Sequence, residues 1–141
     1  MRGSPVGQGI MISRSDPEEY FDEGRADALD EDILRRRLAD LSVEADDEGE
    51  QVTVRFGSGS AFWQAELLRD DDEVLVVLDG ELYYDDPYSA RDVRAAFEGL
   101  RDLAAVLGAR LWVEGEDGPE VLGPDAWEGE VRDAQARATL P

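Results

Sequence analysis

Apolar and polar positions alternate most clearly in the middle of the chain. Val52, Val54 and Phe56 are interleaved with Thr53 and Arg55, and Ala61, Trp63, Ala65 and Leu67 with Phe62, Gln64, Glu66 and Leu68. A period of two is the mark of a strand, and Gly57 to Ser60 between the two runs supplies a turn, so this stretch predicts a hairpin. Asp70 to Asp72 make the next turn. Val74 to Leu78 then form an unbroken apolar run, as expected of a strand buried on both faces. Asp79 and Gly80 are a tight-turn pair, which predicts that Glu81 to Tyr84 return as a short fourth strand. The alternative is a single bent strand with a bulge at Gly80.

Helical spacing flanks this region. Ser15, Asp16, Pro17 and Glu19 combine an N-cap, Pro at the first helical position and an acid that reaches back to free amides. The helix they open is expected to run to about Leu41, burying Phe21, Leu29, Ile33, Leu34, Leu38 and Leu41, with Gly24 as a weak point. Glu44 to Glu50 read as a solvated acidic loop. A second helix opens at Asp86–Pro87 or at Ser89 with Asp92. It carries Val93, Ala96, Phe97, Leu100, Leu103, Ala104 and Leu107 on one face and stops at Gly108. Arg94, Glu98 and Arg101 are placed to pair on its outer surface. Leu111 and Val113 alternate with Trp112, Gly115 to Gly118 turn, Glu120 to Leu122 form a short strand, and a last helix from Pro124 presents Trp127, Val131 and Ala134.

These elements predict an α+β fold: a mostly antiparallel sheet of four to six strands packed with two main helices, in the order α-β-β-β(-β)-α-β-β-α. Residues 1–15 hold Arg2 and Arg14 but no acid, together with several glycines. They are expected to be a disordered N-terminal tail, with Met11 an alternative start, and residues 16–141 a single domain. In element order the chain resembles the small acidic chaperones of type III secretion and the related YbjN-like domains. That resemblance implies a helix–strand sandwich that often dimerises.

Charge changes the picture. Asp and Glu number 35 against 14 basic residues, for a net charge of −21, and every basic residue is Arg. At about 1 M salt the Debye length is roughly 3 Å, so a carboxylate-covered surface does not repel itself apart. The composition is similar to that of haloarchaeal cytoplasmic proteins, which implies a halophilic setting and no particular activity. No apolar run reaches the roughly 20 residues of a membrane span, and the N-terminus lacks a signal-peptide core, so a cytoplasmic location with no membrane partner is expected.

The absences limit the chemistry. Without His, Cys or Lys the chain cannot build a Ser-His-Asp or Cys-His pair, a Schiff base, a P-loop or an imidazole or thiolate metal site. The expectation is no enzyme and no cofactor. Asp70 to Glu73 and Asp46 to Glu50 lack calcium-loop spacing and read as hydrated acidic turns that attract hydrated cations. Gly57 to Ser60 has neither a following helix nor a lysine, so a hairpin turn is preferred to a phosphate site. Arg35, Arg36 and Arg37 point about 100° apart on a helix, which favours internal ion pairs and disfavours direct nucleic-acid binding.

One constellation points to interaction. If Trp63, Val74, Val76 and Leu111 face the second helix, then Phe62, Leu75, Val77 and Trp112 line the other face. The first helix covers that face, or it is a homodimer or partner surface with Tyr83, Tyr84 and Tyr88 as its rim. The leading expectation is a non-catalytic protein-interaction domain (adaptor, chaperone-like or regulatory). An acidic DNA-mimic or toxin-neutralising inhibitor and a carboxylate-dependent hydrolase are the alternatives.

Overall fold

A computed structural model describes residues 8–40, 43–45 and 50–140. The elements run β1 (Gln8–Ser13), α1 (Pro17–Glu23), α2 (Glu31–Ala39), β2 (Val43–Ala45), β3 (Gln51–Phe56), β4 (Ala61–Arg69), β5 (Leu75–Tyr84), α3 (Ala90–Val106), β6 (Arg110–Gly115), β7 (Gly118–Val121) and α4 (Pro124–Gln135). All strands lie in one sheet, ordered β2-β3-β4-β5-β1-β6-β7, and every neighbouring pair is antiparallel. The fold is α+β. Among the described residues the sheet has seven strands where four to six were expected, because β1 and β2 arise from segments read largely as tail and loop. The acidic stretch 46–49 lies outside the described residues.

The largest correction concerns the N-terminus. Residues 8–13 form the strand between β5 and β6, with Ile10 opposite both Gly80 and Val113. Ile10, Ile12 and Ser13 are fully buried. The lack of acids, taken as the sign of a tail, is instead what a central strand requires: a carboxylate there would be desolvated with no cation to pair it. Residues 1–7 lie outside the described set.

The first helix is two. α1 ends at Gly24, which adopts φ 73° and donates its N–H to Tyr20 O, a left-handed cap that a residue with a Cβ adopts at a cost. The chain then crosses in extended form, Leu29 N donating to Leu75 O at 2.8 Å. α2 restarts at Asp30, whose side chain caps Ile33 N. Arg69 Nη1 and Nη2 bind Glu31 at 2.8 and 3.0 Å and Arg69 Nε reaches Glu50 at 3.3 Å, tying the start of α2 to the end of β4.

Asp79–Gly80 is not a turn either, and β5 runs through it for ten residues. Gly80 is there for clearance: any Cβ at that position would overlap the indole of Trp63. The ring lies across β5 so that its Nε1 donates to Ile10 O of β1 at 3.1 Å. The irregularity falls lower, where Leu68 pairs with Val77 but Arg69 with Leu75, leaving Val76 as the extra residue. Past that shift the inward and outward sides of β5 exchange, so Leu75 belongs to the helix side.

α3 matches expectation. Ser89 and Asp92 form a reciprocal capping box, and Val93, Ala96, Phe97, Leu100, Leu103, Ala104 and Leu107 are all buried. With Leu34 and Leu38 of α2 and Trp127, Val131 and Ala134 of α4 they close one apolar core over one face of the sheet, around Trp63. Arg94 pairs with Glu128 of α4 at 3.3 Å, not within its own helix, and the guanidiniums of Arg94 and Arg101 lie 5.6 and 4.3 Å from the Trp127 ring. Among the described residues no helix is long and apolar enough to cross a membrane.

Candidate functional site

Among the described residues the opposite face of the sheet is only partly covered. α1 lies against β5 and β7. Tyr20 Oη donates to Arg69 O at 2.9 Å, and at this end Met11, Val77 and Trp112 are buried. Trp112 Nε1 donates to Ser13 O at 3.0 Å. The first helix is therefore a cover for one end of this face and not for the whole of it.

The residues expected to make an interaction surface separate into four groups. Leu75 is 1% exposed and sits in the helix-side core, moved there by the register shift at Val76. Val77 and Trp112 are on the expected face but buried. Tyr84 and Tyr88 stack on each other, centroids 4.5 Å apart, on the helix side. There Tyr88 accepts backbone N–H groups from Thr139 and Leu140 and donates its hydroxyl to Arg137 O, so this pair secures the C-terminal segment. Adjacent strand residues point to opposite faces, which is why Tyr83 and Tyr84 cannot share a rim.

Phe62 and Tyr83 remain. They are cross-strand partners on β4 and β5, stacked at 5.6 Å and 25°, with the Arg55 guanidinium 5.1 Å from the Phe62 ring. Arg55 Nη1 also donates to Gly59 O at 3.1 Å and lies 3.6 Å from Asp85. Tyr83 donates its hydroxyl to Glu81, and that bond raises the phenol pKa. From this pair an open hollow of about 400 Å³ runs along Gln51, Thr53, Gln64, Glu66, Asp79 and Glu81. A second, of about 320 Å³, shares Asp79 and Glu81 and extends it past Gly9 and Met11 to Glu114 and Phe21, which is 54% exposed. The sequence carried a signal for this strip in Gln64/Glu66 and Asp79/Glu81, polar at every second position. Placing a turn at Asp79–Gly80 concealed it.

Among the described residues no arginine lines the strip. Partial burial raises the Asp79 carboxyl above its ordinary range, and Glu66, Glu81 and Glu114 push it further. These carboxyls line an open hollow, Glu66 and Glu81 exposed to solvent and Asp79 open to it at the surface but partly desolvated by its neighbours. Among the described residues no three acids converge as metal ligands.

A second carboxylate shows the reverse environment. Asp92, 6% exposed, accepts from Ser58 N and Oγ at 3.0 Å, Ser60 Oγ at 2.7 Å and Ser89 N at 3.5 Å. These donors hold its carboxyl down at about 2. The Gly57–Ser60 turn thus cradles an anion, and the anion is the protein's own. Gly57, at φ 60°, leaves room that a Cβ would take from Asp92. Within the arginine run, Arg35 pairs with Glu31 at 2.8 Å and Arg36 donates to Asp32 O at 3.4 Å, so both are engaged internally. No protein-family model, no curated protein and no solved structure matches the chain.

Proposed function

We propose that this chain is a non-catalytic protein-interaction domain, an adaptor, chaperone-like or regulatory protein adapted to concentrated salt in a cytoplasm, and that the uncovered part of its sheet is the contact surface. One observation carries this reading: three helices close one side of the sheet, α1 closes only an end of the other, and the stacked Phe62–Tyr83 pair stands on the part left open. Partly exposed aromatic side chains over a firm strand scaffold give large contact area at small entropic cost. The absence of His, Cys and Lys supports a role without catalysis. Exposed acids on all four helices and in the turn at residues 70–73 support hydration of the whole exterior, in place of a single phosphate-like stripe.

The test places a photo-crosslinking amino acid at position 62, and separately at Glu98 on the exposed side of α3. Native lysate is then irradiated at about 2 M KCl, where long-range charge attraction is screened. The reading expects a protein adduct at position 62 that is absent at position 98 and lost on Tyr83→Ala. Equal adducts at both positions, or none at 62, would reject it. The saline part is checked by melting: dilution from about 2 M to about 0.1 M KCl is expected to lower Tm substantially. A melt that does not move with salt rejects that part.

A further inference from the structure

We propose that the open sheet face receives a cationic segment of a partner protein, whose arginine or lysine side chains enter the trough between Phe21 of α1 and the Phe62–Tyr83 pair. This rests on the protein-interaction reading and names the partner's chemistry. Three features of the face select that occupant. The trough is continuous, since the two hollows share Asp79 and Glu81. Its walls carry Glu66, Asp79, Glu81 and Glu114 from three strands, while no arginine lines either hollow among the described residues. Tyr83 lines one hollow and Phe21 the other, and aromatic faces hold guanidinium and ammonium groups by cation–π attraction.

Charge complementarity excludes the other occupants. A second copy docking through this face would set the same four carboxylates against their equivalents, a like-charge contact, while Arg55 beside the trough is already bound to Phe62, Gly59 and Asp85. Nucleic acid and anionic lipid meet the same repulsion. A cationic side chain instead relieves a repulsion already present at Asp79, so binding is coupled to loss of a proton from that carboxyl when it is protonated. In concentrated salt the long-range field is screened beyond about 3 Å, and what survives is direct ion contact and stacking, which a trough lined by acids and by Tyr83 and Phe21 supplies. Gln51, Thr53 and Gln64 add neutral donors and acceptors along the floor for the partner's backbone.

The experiment uses the full chain and a fluorescein-labelled oligo-arginine peptide, with an oligo-glutamate peptide of equal length as control, read by anisotropy at about 0.15 M and about 1 M KCl. Binding of the arginine peptide is expected at both salt concentrations. Combined Glu66→Gln, Asp79→Asn and Glu81→Gln is expected to weaken it at least about tenfold, and Glu98→Gln, Asp102→Asn and Asp133→Asn by less than about twofold. Gly9→Arg, at a position where an added Cβ meets nothing within 4 Å, places a tethered cation in the trough and is expected to compete with the peptide. Thermal melts check that each variant is folded. Equal loss in the two triple variants, absence of binding, or light scattering that shows a dimer dissociated by Phe62→Ala would overturn the proposal. A position-62 adduct that persists in any of those cases leaves the protein-interaction reading standing, and an acidic partner in that adduct overturns only the cationic assignment.

Discussion

Aromatic side chains stand one residue apart on the two faces of the sheet, and they live in different worlds. Trp63 points to the helix side, is fully buried, donates its indole N–H to Ile10 O, and has Gly80 diagonally across on β5 to make room for its ring. Phe62 points the other way, half-buried, with Tyr83 beside it and Arg55 over it. The carboxylates divide in the same manner. Asp92 is enclosed and surrounded by donors, which lower its pKa to about 2, whereas Asp79 is partly desolvated with only other acids near it, and its pKa rises. One side of the molecule encloses its largest ring and surrounds its buried carboxylate with donors. Among the described residues the other leaves Phe21 and the acids of the strip facing outward, which is the basis of the proposed docking face.

The sharpest way to break this comparison is to remove both aromatics in turn. Trp63→Ala deletes the centre of the core and the bond to β1, and should lower stability by about 3–5 kcal/mol in chemical denaturation. Phe62→Ala should cost only about 1 kcal/mol, since its ring is partly solvated and its contacts are a stack and a cation. Equal losses would mean that Phe62 is structural and the face is closed in solution.

Between these lies Asp92→Asn, expected to cost about 2 kcal/mol near neutral pH, through loss of charge-assisted hydrogen bonds from Ser58 and Ser60. The sign with pH follows from linkage. The folded-state pKa of Asp92 lies below its ordinary 3.8, so its contribution is full above that value and disappears as pH falls toward about 2. The wild type and the variant should therefore converge in acid, and a gap independent of pH would show that packing and not charge holds the turn to α3.

The smallest effect is expected at Asp79→Asn, within about 0.5 kcal/mol and in the stabilising direction. A raised carboxyl pKa opposes folding only once the group ionises, so the gain should be absent in acid and grow as pH rises through the ordinary carboxylate range. A loss of stability at neutral pH would show that Asp79 has a structural partner and would remove the contrast with Asp92.

How much of this was legible in the residues depends on whether the signal was local. The α3 helix was, because its apolar stripe, capping box and closing glycine all lie within its own length. The β3–β4 hairpin was legible for the same reason. β1 was not: a six-residue strand with glycine and no acids has the local composition of a tail, and only β5 and β6 on its two sides make it a strand. Gly80 had the chemistry of a turn, and its actual role depends on an indole seventeen positions earlier. Of the residues expected to form a surface, Phe62 and Tyr83 do lie on the open face, while the shift at Val76 removed Leu75 and the C-terminal segment took up Tyr88.

The sequence by itself determined the α+β class, the surplus of carboxylates and the lack of imidazoles, thiols and amine side chains, because class follows from hydrophobic period and the rest from residue identity. Only the tertiary structure decided which sheet face stays open and which carboxylates gather on it. Strand order and register set those distances, and both arise from pairings between residues far apart in the chain, each too weak to leave a mark on the local pattern.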